Sequence, residues 1–198
     1  MKTEVRRCSW ANPNNPLYIA YHDNEWGEPC HDERMLFEML ILEGFQAGLS
    51  WECVLNKRES FREAFDNFDV EIVSMYDADK LQSLAGNPNI IRNKLKINAS
   101  VANACAFIRI QQEFGSFDKY IWGFSNNEII YEPCDLRTTS PLSDRISKDM
   151  KKRGMKYVGS TIIYSYLQAI GIINGHLEGC YKYKKNANNH GTANIEQS

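Results

Sequence analysis

Residues 18–27 hold the densest group of chemically useful side chains in the sequence. Within ten positions lie three aromatic residues, one histidine and two carboxylates. This mixture is too polar for an ordinary core strand and too aromatic for a disordered loop. Aromatic rings stack on flat molecules, polar groups hydrogen-bond them, and histidine is a common metal ligand. The segment therefore predicts a recognition site for a flat ligand, with a metal site close by.

Two cysteines and two histidines form a candidate metal site. His176 and Cys180 make an H-x3-C pair, a spacing that lets both side chains reach one ion. Cys8 and His22 flank the aromatic segment and complete a Cys2His2 set, the composition of a closed structural zinc site. Such a site would tie the N-terminal segment to the C-terminal one. Its role would be structural, because four protein ligands leave no open position for chemistry.

The pattern of cysteines and histidines leaves a second interpretation open, in which they are core cysteines and surface histidines. Cys30 and His31 are a competing ligand pair, although adjacent residues chelate one ion less readily. Cys53 and Cys105 fall in helical patterns, which favours core positions for both. Cys134 follows a proline in a loop, and no role is assigned to it.

A second candidate site is the turn at residues 43–51, where a carboxylate and a tryptophan flank two glycines. Glu43 ends an apolar run, so we expect it to be partly desolvated and to need a cation or a hydrogen-bond donor opposite. Trp51 and its aromatic neighbours suit a cavity for a flat, electron-poor ligand. Taken singly, each aromatic is more typical of a core, and Glu43 could pair with an arginine or cap a helix. The aromatic residues grouped with Trp51 are Trp10, Tyr18, Tyr21 and Trp26.

Turn residues followed by cations make residues 84–97 a candidate phosphate-binding segment. A tight turn that leads into a helix presents free backbone N–H groups, and Arg92 and Lys94 lie just after this turn. The alternative is an ordinary helix connection with a solvated basic face. The basic run at residues 151–156 is equally ambiguous.

The elements that must position these groups are predicted to be helices. Asp32 can cap a helix over residues 34–42, whose apolar positions run round most of its surface and should be largely buried. Pro141, which follows Ser140, can begin another helix, and this helix is expected to end near residue 154. Only residues 128–131 resemble a strand, so we predict an all-α fold. The other predicted helices cover residues 51–68, 92–113 and 160–173.

Composition narrows the class of protein. The chain has 198 residues, 43% hydrophobic and 24% charged, as expected for one globular domain or a two-lobed unit. It shows neither a membrane-spanning run nor a secretory signal, which predicts a cytoplasmic protein with reduced cysteines. The formal net charge of −2 and the pI of about 6.1 argue against a general polyanion binder, while a local basic patch remains compatible.

Several stretches of the chain resemble the DNA-3-methyladenine glycosylase I family of the helix-hairpin-helix superfamily. They follow the family's order at near-family spacing from about residue 8 to residue 181. One departure is Asn89, where family members often have a glycine at the hairpin tip, and asparagine tolerates a positive φ better than other residues with a side chain. The matching stretches are Cys8-Ser-Trp10, residues 16–27 (PLYIAYHDNEWG), 42–51 (LEGFQAGLSW), 90–94 (IIRNK), 151–154 (KKRG), 157–159 (YVG) and His176-x3-Cys180.

The resemblance implies a helix-hairpin-helix DNA glycosylase fold with a zinc clip. Residues 1–183 would form a single two-lobed helical catalytic unit, and the Asn-rich tail at 184–198 is expected to be disordered. The ligands of the structural Zn²⁺ would be Cys8, His22, His176 and Cys180. The base pocket would consist of the catalytic residues Glu43 and Tyr21 and the base-binding residues Trp51, Trp10 and Tyr18.

The implied activity is hydrolysis of the N-glycosidic bond of 3-methyladenine in alkylated double-stranded DNA. The target nucleotide must flip out of the duplex, and its cationic base gains a cation–π term against Trp51 and Trp10. We expect the protein to be a monomer. We also expect that it does not cut the strand, because no lysine beside the hairpin is assignable as a Schiff-base nucleophile. Two alternatives are a related glycosylase with a shifted alkyl-base preference and a non-catalytic, zinc-stabilised DNA-binding module.

The DNA contacts are expected at two loops. Gly48 and Leu49 would approach the gap left by the flipped base, with Leu49 as an apolar wedge. The hairpin, which lies within residues 84–97, would bind the DNA backbone. At the metal site, Asp23 would support His22 as a hydrogen-bond partner of this ligand. The hairpin contacts are Asn89, Arg92 and Lys94.

Overall fold

The computed structural model describes residues 5–132 and 137–184, and these ranges are mostly helical. Cys134 and all but the first residue of the predicted tail lie outside them. The described helices are α1 (Pro16–Asn24), α2 (Glu33–Gln46), α3 (Trp51–Leu55), α4 (Arg58–Ala64), a 3₁₀ helix (Asp66–Phe68), α5 (Val70–Ser74), α6 (Ala78–Gly86), α7 (Lys94–Phe114), α8 (Phe117–Gly123), α9 (Pro141–Lys152) and α10 (Ser160–Ala169). Two short strands are β1 (Ile130–Tyr131) and β2 (Ile173–Asn174).

Side-chain caps fix where the site-bearing helices begin. Asn15 precedes α1 and accepts hydrogen bonds from the N–H groups of Leu17 and Tyr18. Asp32 caps α2 through the N–H of Met35 at 2.8 Å, as predicted. Ser140 caps α9, whose first residue is a proline, also as predicted. Satisfied N–H groups at these ends hold each helix in one register.

Helix α2 is the central element of the core. Its residues from Leu36 to Phe45 are all buried, so the prediction of a largely buried helix is confirmed. It packs against α3, α7, α8 and α10, so that apolar side chains surround it on most sides. A helix enclosed in this way is a rigid carrier for the polar groups near its C-terminal end.

The predicted helix over residues 51–68 is wrong as a single element. The structure divides it into α3, α4 and the 3₁₀ helix. Asp66, Asn67 and Phe68 have positive φ angles of 50°, 55° and 56°, which no right-handed α-helix contains. The apolar spacing was close to helical because Phe61, Phe65 and Phe68 all point into the same core.

The predicted helix over residues 160–173 is also too long. Helix α10 ends at Ala169, and β2 then pairs in parallel with β1, with Ile130 opposite Ile173. Gly171 separates them at φ +76°, and a Cβ there would lie 2.2 Å from the backbone carbon of Glu28. A close backbone approach therefore ends the helix, and the fold is mostly helical with one short parallel pair.

Two further expectations need adjustment. Cys53 and Cys105 are partly buried and do not belong to the fully buried core. The helix predicted from residue 92 begins at Lys94, capped by Asn93. Among the described helices, none has the length and apolar character to cross a membrane.

Candidate functional site

A cavity of about 160 Å³ lies where α1, α2, α3 and α10 meet. Helix α1 supplies Tyr18 and Tyr21, α2 supplies Glu43, and α3 supplies Trp51 at its first position. All five residues predicted for a base pocket therefore line the same cavity. The complete lining is Trp10, Tyr18, Tyr21, Trp26, Glu43, Gln46, Trp51, Ser165 and Gln168.

Glu43 is the buried carboxyl group of this cavity, with 3% of its surface exposed. Its Oε2 atom has no hydrogen-bond partner among residues 5–132 and 137–184. Burial disfavours the charged form and raises the pKa of Glu43 from 4.5 to about 8. The protein therefore provides neither of the alternatives considered for Glu43, an arginine or a helix cap, and leaves this oxygen directed at the cavity.

Aromatic rings form the walls of the cavity. The rings of Tyr21 and Trp51 are 5.2 Å apart between centroids and tilted by 43°. Trp10 lies 5.5 Å from Tyr18 and 4.7 Å from Trp26. Burial raises the pKa of Tyr21 well above its ordinary value, and the nearby Glu43 adds to this shift, so Tyr21 is a neutral phenol. A flat ligand can enter a space bounded by ring faces and one carboxyl group.

The polar atoms of the cavity are unusual because several lack partners. Four buried side-chain atoms have no hydrogen-bond partner among the described residues, and all four belong to residues that line this cavity. Three are N–H donors and one is a carboxyl oxygen. Buried polar groups are nearly always paired in folded proteins, so this set indicates a ligand site. The atoms are Trp10 Nε1, Trp51 Nε1, Gln168 Nε2 and Glu43 Oε2.

Sequence reasoning missed three polar residues of this lining, namely Gln46, Ser165 and Gln168. One signal was present, because Gln168 is a polar residue in the apolar stretch of α10. A glutamine in a buried helix needs a partner, and a partner absent from the protein suggests a bound molecule. For Ser165 and Gln168, the distance in sequence from residues 43–51 concealed the connection with the cavity.

The four predicted metal ligands come together in one buried group. Their donor atoms all lie within 4.8 Å of one another, and both cysteines are buried, with 2% and 6% of their surface exposed. The Nδ1 atom of His176 lies 3.4 Å from the sulfur of Cys8 and 3.6 Å from that of Cys180. The Cys180 sulfur lies 3.5 Å from Nε2 of His22. A tetrahedral zinc ion with ordinary bond lengths would place its S and N ligands roughly 3.5 Å apart, so this group could hold a metal ion.

Hydrogen bonds orient both imidazoles towards the centre of this group. His22 Nδ1 contacts the carboxylate of Asp23 at 2.8 Å, and His176 Nε2 contacts the carbonyl of Trp26 at 3.2 Å. Each contact directs the opposite ring nitrogen to the ligand position. Arg7 hydrogen-bonds Asp23 and holds the pKa of that carboxyl well below its usual range. The expected support of His22 by Asp23 is therefore present in the structure.

The cavity and the metal group share a wall. The Trp10 ring lies 5.2 Å from the His22 ring, and the Trp26 ring lies 4.8 Å from the His176 ring. His22 also follows Tyr21 directly in α1, so one helix turn presents a side chain to each site. Any group that fixes the histidines therefore also fixes two aromatic walls of the cavity.

The turn between α2 and α3 is exposed beside the cavity. Gly48 has a φ of +84° and no heavy atom within 4 Å of an ideal Cβ, so its backbone is open to approach. Leu49 is 42% exposed, so an apolar side chain is accessible on this turn. This arrangement is compatible with the predicted contact between the turn and DNA.

The segment between α6 and α7 has the helix–turn–helix arrangement expected at residues 84–97. Asn89, Arg92 and Lys94 are exposed, whereas Ile90 is buried and anchors the turn. Asn89 does not have a positive φ, so the expectation that it replaces a glycine of that conformation is wrong. Lys57 donates a hydrogen bond to the Asn89 carbonyl at 3.1 Å, which connects this turn to the start of α4.

Lys96 is a hairpin-adjacent lysine to which sequence reasoning assigned no role. It is buried, and its Nζ donates to the carbonyls of Phe45 at 2.9 Å and Ala47 at 2.6 Å. Burial lowers its pKa. Its amine caps the C-terminal end of α2 and is engaged there, so it joins the hairpin to the helix that carries Glu43.

The second basic run, at residues 151–156, is partly neutralised by ion pairs of Arg153. Arg153 pairs with Glu113 at 2.7 Å and with Asp149 at 2.6 Å. Lys151 and Lys152 are exposed at the end of α9. The contribution of this run to a basic surface is therefore limited to the lysines.

Known proteins match this chain along most of its length. The model of a family described as methyladenine glycosylase matches residues 10–183. The chain is 44% identical over 187 residues to DNA-3-methyladenine glycosylase 1 of Escherichia coli, covering 92% of this chain and 99% of that protein. It is 40% identical over 178 residues to DNA-3-methyladenine glycosylase of Haemophilus influenzae, covering 88% of this chain and 96% of that protein.

A solved structure shares the fold. It is the crystal structure of a tyrosine-to-phenylalanine variant of 3-methyladenine DNA glycosylase I in complex with 3-methyladenine. The superposition has a TM-score of 0.86 at 34% identity and covers 90% of this chain and 98% of that chain. The similarity thus extends from sequence to the arrangement of the helices.

Proposed function

The chain belongs to the methyladenine glycosylase family, and on this premise we propose that it hydrolyses the N-glycosidic bond of 3-methyladenine in alkylated DNA. It is a hydrolase of base-excision repair. The observation that carries the assignment is the unpartnered carboxyl oxygen of Glu43, buried among aromatic rings in a cavity of base size. A protein that binds only intact duplex has no use for such a cavity, which argues against the non-catalytic alternative.

The cavity can act on the base once the nucleotide has left the duplex. The cationic base would stack between the rings of Trp51 and Trp10, a contact that favours a positive ring over neutral adenine. Glu43 would accept hydrogen bonds from the amino edge of the base, and Tyr21 would hold the base against Trp51. The approach of the cation favours the ionised form of Glu43, which opposes the effect of burial on its pKa.

Bond cleavage then needs only one water molecule as co-reactant. The bond between C1′ of the sugar and N9 of the base breaks, and its electron pair leaves with the base. The cationic lesion thereby becomes neutral 3-methyladenine. The water oxygen bonds to C1′, and its extra proton passes to solvent. Because the leaving base is already activated by its charge, selective binding supplies much of the rate advantage.

We propose that the DNA lies across the two exposed loops. Gly48 and Leu49 would face the gap left by the flipped nucleotide. The turn before α7 would act as a helix-hairpin-helix element, with Asn89, Arg92 and Lys94 at the phosphates. Replacing Arg92 or Lys94 by glutamine should weaken binding to all DNA sequences and reduce its salt dependence, which titrations at several salt concentrations would measure.

We propose that Cys8, His22, His176 and Cys180 hold a structural Zn²⁺. The donor distances and the two oriented imidazoles support this assignment. A zinc ion bound there would link the N- and C-terminal segments and would leave no coordination position for substrate. The chain's own residues therefore perform the recognition of the base.

The remaining assignments also belong to this proposal. The enzyme would act as a monomer on double-stranded DNA in the cytoplasm, with residues 1–183 as one two-lobed catalytic unit. It would not cut the strand, since the amine of Lys96 donates hydrogen bonds to two carbonyls and is unavailable as a nucleophile.

The test is base release from methylated duplex DNA, with the released bases separated by chromatography. Wild-type protein should release 3-methyladenine without strand cleavage, and Glu43→Gln and Trp51→Ala should each lose most of this activity. Glu63→Gln, on the exposed face of α4, is the matched control and should keep it. Full activity in both pocket variants would refute the pocket, and preferential release of another alkylated base would favour the shifted-specificity alternative.

A further inference from the structure

Gln168 is the one unpartnered residue of the cavity that the proposed chemistry does not use. It lies in the last full turn of α10, with 7% of its surface exposed. Its backbone carbonyl accepts hydrogen bonds from the N–H groups of Gly27 at 2.9 Å and Gly171 at 3.3 Å. The fold therefore fixes the backbone from which this side chain reaches the cavity.

The Gln168 amide is held on one side by close packing. A Cβ atom placed on Gly175 would lie 2.7 Å from its Nε2 atom, so the backbone of Gly175 packs close to the amide. On the other side Gln168 lines the cavity with Glu43 and the aromatic rings. Nε2 has no hydrogen-bond partner among residues 5–132 and 137–184. A confined donor with an unused N–H is suited to a ligand acceptor.

The donor of Gln168 and the acceptor of Glu43 together favour a base edge that offers one acceptor and one donor. Adenine carries an amino donor at C6 with a ring nitrogen lone pair on each side, at N1 and N7. Guanine carries an oxygen acceptor at the same carbon, which an ionised Glu43 would repel. A carboxyl oxygen and an amide N–H that line the same cavity thus match the amino group and one adjacent ring nitrogen of adenine.

We propose that Gln168 is a specificity-determining residue that donates a hydrogen bond from Nε2 to a ring nitrogen of the flipped adenine. Glu43 accepts from the neighbouring amino group at the same time. This inference rests on the proposed glycosylase function and adds a second reader of the base edge, contributed by α10. Together the two side chains distinguish an adenine lesion from a guanine lesion by hydrogen-bond polarity as well as by shape.

The test uses free bases as probes and the full-length protein. Binding of 3-methyladenine, 1-deaza-3-methyladenine and 7-deaza-3-methyladenine is measured by quenching of tryptophan fluorescence. One of the two deaza analogues lacks the ring nitrogen that accepts from Gln168. Wild-type protein should bind that analogue about tenfold more weakly than 3-methyladenine, since this acceptor is missing. Gln168→Met should bind 3-methyladenine about tenfold more weakly and should no longer distinguish that analogue from it. Gln168→Glu, which replaces the donor by an acceptor of equal size, should bind more weakly still.

Controls separate this proposal from a structural effect. Gln112→Met, on the exposed side of α7, should retain wild-type binding and selectivity. The Tm of Gln168→Met should stay near that of wild type, and base release from methylated DNA should fall with the binding. If wild-type protein binds both analogues as tightly as 3-methyladenine, or if Gln168→Met distinguishes an analogue from 3-methyladenine as strongly as wild type does, the role of Gln168 is refuted. If wild-type protein releases no methylated base, the proposed function itself fails, which is a different outcome.

Discussion

Glu43 is a carboxyl group that the fold separates from water and that receives no hydrogen bond at Oε2 from the described residues. Such a group costs stability whenever it is ionised in the empty cavity. Binding sites commonly carry a cost of this kind, because the same isolation strengthens the interaction with a cationic ligand. Function and stability therefore make opposite demands on this one side chain.

Glu43→Gln is predicted to stabilise the ligand-free protein at alkaline pH. The pKa of Glu43 is about 8 in the folded protein and 4.5 as its ordinary value, so the folded state holds the proton more tightly than the unfolded state. Wild-type stability is then greatest below pH 4.5 as far as this group is concerned, and it falls as pH rises to about 8. The loss is on the order of 5 kcal/mol at most.

Urea unfolding at pH 5 and at pH 9 measures this difference. Glu43→Gln should be more stable than wild type at pH 9 and close to it at pH 5. Glu63→Gln should show no such pH-dependent gain. Equal stability differences for the two variants at both pH values would contradict the burial of an ionisable Glu43.

At the residue scale, sequence reasoning identified the pocket because its aromatics and its carboxylate lie in two short, chemically dense segments. It predicted the four residues of the buried cysteine–histidine group through one short-range pair and a family pattern. Gln168 escaped because it reaches the cavity from a helix more than a hundred residues away from Glu43 in the sequence. Long-range contacts of this kind depend on how helices pack, which one sequence does not display.

At the scale of elements, Lys96 joins two parts of the molecule that have different tasks. It belongs to the first turns of α7, behind the exposed hairpin, and it binds the carbonyls at the end of α2. Helix α2 carries Glu43, and the turn after it carries Leu49. A displacement of the turn before α7 can therefore reach the pocket through one side chain.

Lys96→Met is predicted to destabilise the protein by about 2 kcal/mol, since two carbonyls lose a charged donor. This corresponds to a drop in Tm of roughly 4–8 °C. Base release should also fall, because the turn after α2 loses its anchor. Lys94→Met, two residues away and exposed, is the matched control and should leave the Tm unchanged. A Tm equal to that of wild type in Lys96→Met would show that the two hydrogen bonds have no structural role.

Gly171→Ala is predicted to be strongly destabilising, by about 3 kcal/mol or more. A Cβ there would overlap the backbone of Glu28, and the φ of +76° is unfavourable for alanine. Gly86→Ala in α6 meets no atom within 4 Å, so its Tm should equal or exceed that of wild type. Thermal unfolding of the two variants compares them directly. Similar Tm values would contradict the close approach of the two backbones.

The same glycine explains why the end of α10 was misjudged from sequence. Residues 160–173 are apolar and helix-compatible, and local propensity favours one helix. The chain stops the helix because it must pass closely over Glu28 and Pro29. Tertiary packing overrides propensity here, as it does at Asp66–Phe68, where core phenylalanines require left-handed backbone angles. The beginnings of the capped helices α2 and α9 were predicted correctly, whereas α2 continues to Gln46, beyond the predicted end at residue 42 and into the predicted turn at 43–51.

At the scale of the whole molecule, the metal group connects the beginning and the end of the described chain. Cys8 and His22 come from the N-terminal segment, whereas His176 and Cys180 follow β2. A bound ion would restrict the unfolded chain over nearly its whole length. It would also hold the wall formed by Trp10 and Trp26, which both sites share.

Cys180→Ser is predicted to lower stability by about 3 kcal/mol, or roughly 10 °C in Tm, and to remove zinc from the purified protein. Elemental analysis should find one zinc per wild-type chain. Cys105→Ser, a partly buried cysteine outside the metal group, should keep both the zinc and the Tm. Unchanged stability in Cys180→Ser, or wild-type protein without metal, would refute the zinc clip.

The burial of Cys8 and Cys180, the two candidate cysteine ligands, bears on how the protein withstands methylating agents. Methylating agents modify nucleophiles in general, and a thiolate is the strongest protein nucleophile. Cys8 and Cys180 expose only 2% and 6% of their surface, so a reagent dissolved in water has little access to their sulfurs. A repair enzyme with exposed thiolates in its framework would be inactivated by the same dose that creates its substrate. We therefore expect the two buried sulfurs to react more slowly with methylating agents than exposed thiols do.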